Sequence, residues 1–188
     1  SWAGPHAASD FGADALDEIT LACFDDMAQG RGEGAGWRLP ASDLDFLPKK
    51  ALLAEHATLW GGNLSVLCSL VGTPYLPSVQ AGVLFLEDVA EHPYRIERML
   101  TQLLHAGVLA QQKAIVLGHF TDFKLVPHDK GFKLQTVVDW LRAQVKTPVL
   151  TGLPFGHVPT KLCLPVGQEV SLLREGREAF LLWAHQAH

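Results

Sequence analysis

The sequence predicts an α/β domain whose mixed, partly parallel sheet is flanked by helices and continues into an antiparallel strand extension. In the middle of the chain, short apolar runs alternate with amphipathic helical patterns, as parallel strands and their connecting helices do. The tail of the chain instead contains short strand patterns separated by single glycines. Of the 188 residues, 48% are hydrophobic and 19% are charged, so the chain can bury a substantial core.

The first predicted element is a helix over residues 14–29, with Asp14 as its N-cap. Its apolar residues recur at helical spacing: Leu16, Ile19, Leu21, Phe24 and Met27. Residues 30–36 contain four glycines in seven, which opposes a helix and is typical of a loop or domain connection. We therefore predict that residues 1–36 are the remnant of an N-terminal domain with its linker, and that residues 37–188 form a C-terminal domain.

The middle of the chain then alternates between strands and helices. Residues 51–60 are a predicted strand that ends at Gly61-Gly62, and Asn63 is the N-cap of a helix of about ten residues that ends at Gly72. The later predicted elements are a strand over 82–88, a helix from Pro93 to Gly107, a strand over 113–118, a helix over 132–145, a strand over 147–151, and two or three short strands within 161–183.

The strand over 82–88 ends in two adjacent acids, Glu87 and Asp88. Successive side chains of a strand point to opposite faces, so only one of these acids can face any given partner. Functional sites of open α/β sheets form at the carboxyl ends of strands. The same acids could instead cap the following helix, and the strand pattern leaves both interpretations open.

Composition excludes several classes of function. The net charge is −5 and Lys and Arg form no cluster, so we expect no nucleic-acid partner. No apolar run approaches the roughly 20 residues of a membrane span, and residues 1–12 do not resemble a signal peptide, which predicts a cytoplasmic protein without membrane contact.

The spacing of the histidines and cysteines predicts no metal and no cofactor. Three dispersed cysteines predict buried thiols in a reducing compartment: Cys23, Cys68 and Cys163.

Five segments, in order, resemble the LD-carboxypeptidase family of serine peptidases over nearly the whole chain from Gly4. They are Leu-Trp-Gly-Gly-Asn-Leu at 59–64, Leu-Phe-Leu-Glu-Asp-Val and Pro-Tyr-Arg-Ile-Glu-Arg-Met-Leu within 84–100, Ala-Ile-Val-Leu-Gly at 114–118, Thr-Gly-Leu-Pro-Phe-Gly-His at 151–157, and Leu-Pro-Val-Gly at 164–167. The resemblance implies a Ser-His-Glu triad and places its Glu on Glu87 and its His on His157. It assigns no substrate-binding residue.

The family's nucleophile lies on a Gly-x-Ser-Asp turn, upstream of a Gly-Pro segment that Gly4-Pro5 resembles. The resemblance therefore implies that this chain is the C-terminal part of such an enzyme and lacks the nucleophile-bearing N-terminal region. Ser9 precedes an Asp but lacks the glycine of a nucleophile elbow, so we reject it as the nucleophile. Ser65 falls within a predicted helix and is interpreted as structural.

The resemblance implies release of terminal D-alanine from murein tetrapeptides during peptidoglycan recycling. The implied partners are a murein peptide and the missing N-terminal domain. The apolar face of the helix over 14–29 predicts self-association as a homodimer. Two alternatives stay open: a microcin-immunity-like peptidase that cleaves a peptidyl or aminoacyl nucleotide, and a non-catalytic binding or dimerisation module.

Overall fold

The computed structural model describes residues 1–183. Within them the α-helices are α1 (Glu18–Ala28), α2 (Leu64–Ser69), α3 (Pro93–His105) and α4 (Leu134–Gln144). The strands are β1 (Trp2–Ala3), β2 (Gly34–Arg38), β3 (Lys50–Asn63), β4 (Val83–Val89), β5 (Ala114–Thr121), β6 (Val149–Leu150), β7 (Leu164–Pro165), β8 (Glu169–Glu175) and β9 (Glu178–Trp183).

Seven strands form one mixed sheet in the order β2-β9-β8-β3-β4-β5-β6. Strands β3, β4, β5 and β6 are parallel to one another. The other pairs of neighbours are antiparallel: β2 with β9, β9 with β8, and β8 with β3. β1 and β7 form a separate antiparallel pair, so residues at the start of the chain lie against residues near its end. The predicted α/β fold with a partly parallel sheet and an antiparallel extension is confirmed.

The long strand β3 joins the two parts of the sheet. Its first half pairs with β8, and its last five residues, from Leu59 to Asn63, pair with β4. The predicted strand end at Gly61-Gly62 is therefore wrong. Gly61 has φ +127°, and a Cβ there would lie 2.0 Å from the carbonyl oxygen of Phe85. Glycine at this position lets the two strands approach closely instead of ending β3.

The sheet buries both of its faces. Leu84 and Leu86 of β4 pack into one apolar cluster with residues of α2, α3 and α4. Val83 and Phe85 point into a second cluster, against which Cys23 of α1 packs. The alternation predicted for this strand is confirmed, and it places Glu87 on the face of the second cluster.

Several element boundaries differ from the predictions. α1 begins at Glu18 because Asp17, rather than Asp14, accepts a hydrogen bond from the Thr20 N–H at 2.8 Å. α2 starts at its predicted cap, Asn63, but ends at Ser69, whose hydroxyl donates to the Val66 carbonyl at 2.7 Å and competes with the helix.

The glycine-rich stretch also contains a strand that was predicted as loop. Gly34–Arg38 pairs with β9 at the edge of the sheet. This pairing uses backbone N–H and C=O groups, which glycine supplies as other residues do. The division into a remnant and a C-terminal domain at residue 36 stays a prediction. The predicted short strands of the tail are confirmed as β7, β8 and β9, with Gly167 and Gly176 between them.

The three cysteines within the described residues are free thiols, and Cys68 and Cys163 are buried. Burial raises the pKa of each of these two thiols to about 11, so they stay protonated at neutral pH. The helices of the described part of the chain are too short or too polar to cross a bilayer.

Candidate active site

Glu87 and His157, separated by 70 positions in the chain, lie in direct contact. The Nδ1 of His157 is 3.0 Å from the Oε2 of Glu87. The Glu87 side chain is 6% exposed, whereas the His157 side chain is 45% exposed. A buried carboxylate thus holds an imidazole that solvent or a substrate can reach.

A β-bulge in β5 lies beside Glu87. Leu86 pairs with Leu117 and Asp88 pairs with Phe120, so β5 has one more residue than β4 in the stretch opposite Glu87. Bulges often lie beside active sites. The sequence pattern gave no sign of this bulge.

Asp88 serves a different purpose from its neighbour. It points to the opposite face and accepts hydrogen bonds from the Asn63 side chain and from the Ser65 N–H, each at 2.9 Å. Asp88 therefore does bind the start of a helix, but that helix is α2. The helix that follows β4, α3, is capped by His92 instead. Glu87 is thus the acid of the pair that faces His157.

The segment that carries His157 follows β6 and packs against the end of β5. The His119 N–H donates to the Phe155 carbonyl at 2.9 Å. Gly156 has φ +121°, and a Cβ there would lie 3.1 Å from the Glu87 Oε2 and 3.0 Å from the His119 carbonyl oxygen. A side chain at Gly156 would therefore be strained and would crowd the carboxylate that holds His157.

A buried ion pair fixes the start of the same segment. Asp43 is fully buried and lies 2.7 Å from the Arg142 guanidinium. It also accepts hydrogen bonds from the Thr151 N–H at 2.7 Å and from the Thr151 hydroxyl at 3.0 Å. The residues from Thr151 to His157 thus begin at an anchored point.

Asp43→Ala is expected to lower the free energy of unfolding by about 3–5 kcal/mol, because it leaves the buried charge of Arg142 unpaired. Chemical denaturation followed by circular dichroism measures this change. Glu175→Ala is the control, since Glu175 pairs with Lys50 on the surface, where their side chains are 64% and 82% exposed. It should cost less than about 1 kcal/mol. Equal losses for the two variants would contradict the anchoring role of Asp43.

The first 21 residues form a wall of the same site, which the sequence did not predict. A cavity of about 520 Å³ opens beside Glu87 and His157, within the size range of small-molecule sites. Its wall from the N-terminal segment includes these side chains: His6, Ser9, Asp10, Phe11, Leu16, Asp17, Thr20 and Leu21.

Three contacts attach this wall to the residues that follow His157. Lys161 and Asp10 form an ion pair whose side chains are about one-tenth exposed. The Thr160 hydroxyl donates to Asp17 at 2.8 Å, and the Lys161 N–H donates to the Thr20 hydroxyl at 2.8 Å. These partners are more than 130 positions apart, so no local pattern could have revealed them.

Both acids of the wall are held in the ionised form. Burial opposes ionisation of Asp10, yet hydrogen bonds from Lys161 and the His6 N–H lower its pKa below the ordinary value. Hydrogen bonds from the Thr20 N–H and the Thr160 hydroxyl lower the pKa of Asp17. Asp10 and Asp17 are therefore both negatively charged, and each already accepts hydrogen bonds from other groups of the protein.

The two serines considered from the sequence differ in position. Ser65 lies in α2 and donates to Asn63 at 2.9 Å. Ser9 lines the cavity, but within residues 1–183 it makes no hydrogen bond with His157. In the same part of the chain, no three His, Cys, Asp or Glu side chains lie close enough together to hold a metal ion.

The Glu87–His157 pair has the geometry of an oriented base. A carboxylate accepts hydrogen bonds, so the Nδ1 of His157 carries the proton of this contact. The lone pair of Nε2 is then available to a neighbouring hydroxyl or amine. No described residue occupies Nε2, so the arrangement can take up and return a proton at the cavity.

Comparison with known proteins gives consistent relatives. A family model described as the LD-carboxypeptidase C-terminal domain matches residues 56–172. A protein named probable murein peptide carboxypeptidase, from Bacillus subtilis, is 31% identical over 170 residues, which are 90% of this chain and 51% of that protein. The chain thus spans about half the length of this relative.

Solved structures show the same fold. A crystal structure of muramoyltetrapeptide carboxypeptidase from Oxalobacter formigenes has a TM-score of 0.86 and 40% identity, covering 98% of this chain and 62% of that one. The structure of MccF in complex with glutamyl sulfamoyl guanosine has a TM-score of 0.72 at 20% identity, covering 99% of this chain and 62% of that one, and shares the fold alone. From the family match over residues 56–172, this chain belongs to the LD-carboxypeptidase family.

Proposed function

We propose that the full-length protein is a serine carboxypeptidase that releases terminal D-alanine from murein tetrapeptides, and that this chain supplies the Glu and His of a Ser-His-Glu triad. The observation that carries the proposal is the contact of 3.0 Å between the buried Glu87 and the exposed His157 at the edge of a cavity. The names of the relatives from Bacillus subtilis and Oxalobacter formigenes support a murein peptide as the substrate.

In this reaction the Nε2 of His157 takes the proton of the serine hydroxyl as its oxygen attacks the scissile carbonyl carbon. The amide bond breaks, the same proton passes to the amine of the leaving D-alanine, and an acyl-enzyme remains. Water then repeats the sequence and restores the serine. Glu87 holds the imidazole in one tautomer and stabilises it while it is positively charged.

The proposal needs a serine from outside this chain, because no Gly-x-Ser-Asp turn occurs in its 188 residues. Apolar side chains beside the cavity offer a surface for the segment that carries it. Leu16, Ile19 and Leu21 are 45%, 56% and 44% exposed, which is unusual for neighbouring apolar residues around one helix. We propose that the nucleophile-bearing N-terminal region covers them. Homodimer formation stays a prediction, as does the cytoplasmic location that the free thiols support.

The microcin-immunity-like alternative shares the fold, so the likeness to MccF at 20% identity does not favour it. The murein substrate is preferred because the match to muramoyltetrapeptide carboxypeptidase is 40% identical. A non-catalytic module would not need an exposed imidazole oriented by a buried acid.

The test is hydrolysis by the full-length protein, with mass spectrometry of free D-alanine from the peptide and of the amino acid released from the sulfamoyl adenosine compound. A murein tetrapeptide should be cleaved, and an aminoacyl sulfamoyl adenosine should not. Ser9→Ala should leave the rate within about twofold, because Ser9 does not contact the base. If only the aminoacyl sulfamoyl adenosine were cleaved, the microcin-immunity-like alternative would be favoured over the murein substrate. Loss of activity in Ser9→Ala would contradict the rejection of Ser9 as the nucleophile.

A further inference from the structure

A second imidazole lies beside His157 at the cavity. The rings of His6 and His157 are 6.4 Å apart between centroids, at an interplanar angle of 89°. Both residues line the same cavity. His6 follows Gly4-Pro5 in the wall formed by the N-terminal segment, and no sequence pattern connects it with His157.

The backbone of His6 is fixed while its ring is free. The His6 N–H donates to Asp10 at 2.6 Å, and the Asp10 N–H donates back to the His6 carbonyl at 3.0 Å. Asp10 is itself held by Lys161. The His6 ring makes no hydrogen bond with any residue from 1 to 183, so its N–H can donate to a bound molecule whether the ring is neutral or protonated.

The carboxylates that line the cavity already have partners. Glu87 contacts His157, Asp10 contacts Lys161, and Asp17 accepts from Thr20 and Thr160. The His6 ring thus has an N–H group beside His157 that is available to an anionic group. The free thiols and the bulk of the apolar core do not reach this cavity.

The chemistry of the leaving group fits this spacing. The amine that receives the proton of His157 must come within about 3 Å of that ring, and the carboxylate oxygens of an α-amino acid are three bonds from its amine, about 3 Å further. A hydrogen bond of about 2.8 Å from the carboxylate then reaches a donor on a neighbouring wall. The path from the His157 ring through the amine, the α-carbon and the carboxylate to the His6 ring is bent at the α-carbon, so it can bridge the 6.4 Å between the two ring centroids.

We propose that His6 binds the terminal carboxylate of the peptide substrate and selects peptides with a free carboxyl end. This inference rests on the proposed carboxypeptidase function. Because the contact exists before and during the reaction, its loss raises KM and leaves kcat nearly unchanged.

The kinetic test compares a peptide that ends in free D-alanine with the same peptide ending in D-alanine amide, using the full-length protein. His6→Ala should lower kcat/KM for the free acid about tenfold or more and leave kcat/KM for the amide unchanged. The ratio of the two kcat/KM values should therefore fall by the same factor. His6→Gln, which keeps an N–H donor, should retain part of the preference. His105→Ala is the matched control, because His105 is exposed at the end of α3 and should change neither rate.

The binding test needs no nucleophile and uses this 188-residue chain. In proton NMR, N-acetyl-D-alanine should shift the ring signals of His6, whereas its amide should not. An unchanged preference in His6→Ala, or an absence of shifts at His6, would overturn the inference even if the wild-type enzyme releases D-alanine. Shifts at His6 together with an inactive full-length protein would keep the carboxylate site and refute the proposed function.

Discussion

In the full-length protein, Glu87→Gln is expected to lower kcat for D-alanine release by about 10⁴-fold while KM stays nearly constant. Glutamine keeps the shape of the side chain but can donate to Nδ1, which favours the wrong tautomer of His157 and removes the charge that stabilises the imidazolium. His157→Ala removes the base itself and should lower kcat by about 10⁶-fold. Steady-state kinetics on a murein tetrapeptide measures both effects.

The neighbouring acid supplies the control. Asp88→Asn alters the cap of α2 on the opposite face of β4, so it should lower thermal stability while kcat falls by less than about tenfold. Melting curves would confirm that all three variants are folded under the assay conditions. Wild-type turnover in Glu87→Gln or His157→Ala would remove that residue from the mechanism.

The 188-residue chain by itself should not release D-alanine from a murein tetrapeptide, although the full-length protein should. The sequence offers a candidate base and its orienting acid but no Gly-x-Ser-Asp elbow, and the proposed mechanism takes its oxyanion donors from the backbone beside that elbow. Loss of one oxyanion donor alone costs about 100-fold or more in turnover, and loss of the nucleophile removes the covalent route. The measurement is D-alanine release by the chain, by the full-length protein, and by the chain mixed with a separately made N-terminal segment.

Recovery of activity on mixing would support a site built from two parts that meet over Leu16, Ile19 and Leu21. The matched control is an N-terminal segment whose candidate serine is replaced by alanine, which should bind without restoring turnover. Activity of the isolated chain at the full-length rate would contradict the proposal that the nucleophile lies outside these 188 residues.

Some features of this protein were determined by local sequence. The alternation of apolar residues in 82–88 correctly placed Glu87 and Asp88 on opposite faces of β4. Asn63 capped its helix as predicted, since a cap needs only the residues that follow it within one turn. The fold class also followed from the order of periodic segments. The resemblance, and not the local pattern, indicated Glu87 and His157, and their catalytic roles stay a prediction.

Other features depended on contacts between distant residues. β3 continues through Gly61 because glycine there accommodates the carbonyl oxygen of Phe85, which would lie 2.0 Å from a Cβ, and the sequence of β3 carries no information on that distance. The bulge of β5 opposite Glu87, the anchoring of Thr151 by Asp43, and the ion pair of Asp10 with Lys161 likewise involve separate segments.

The sequence by itself determined which residues can perform acid-base chemistry and on which face of a strand one of them lies, because side-chain type and strand periodicity are local properties. Only the tertiary structure decided that Glu87 meets His157 and that His6 faces them across one cavity. These placements depend on packing and hydrogen bonds between segments that are 70 or more positions apart, and such long-range contacts form only when the whole sheet and its covering layers fold together.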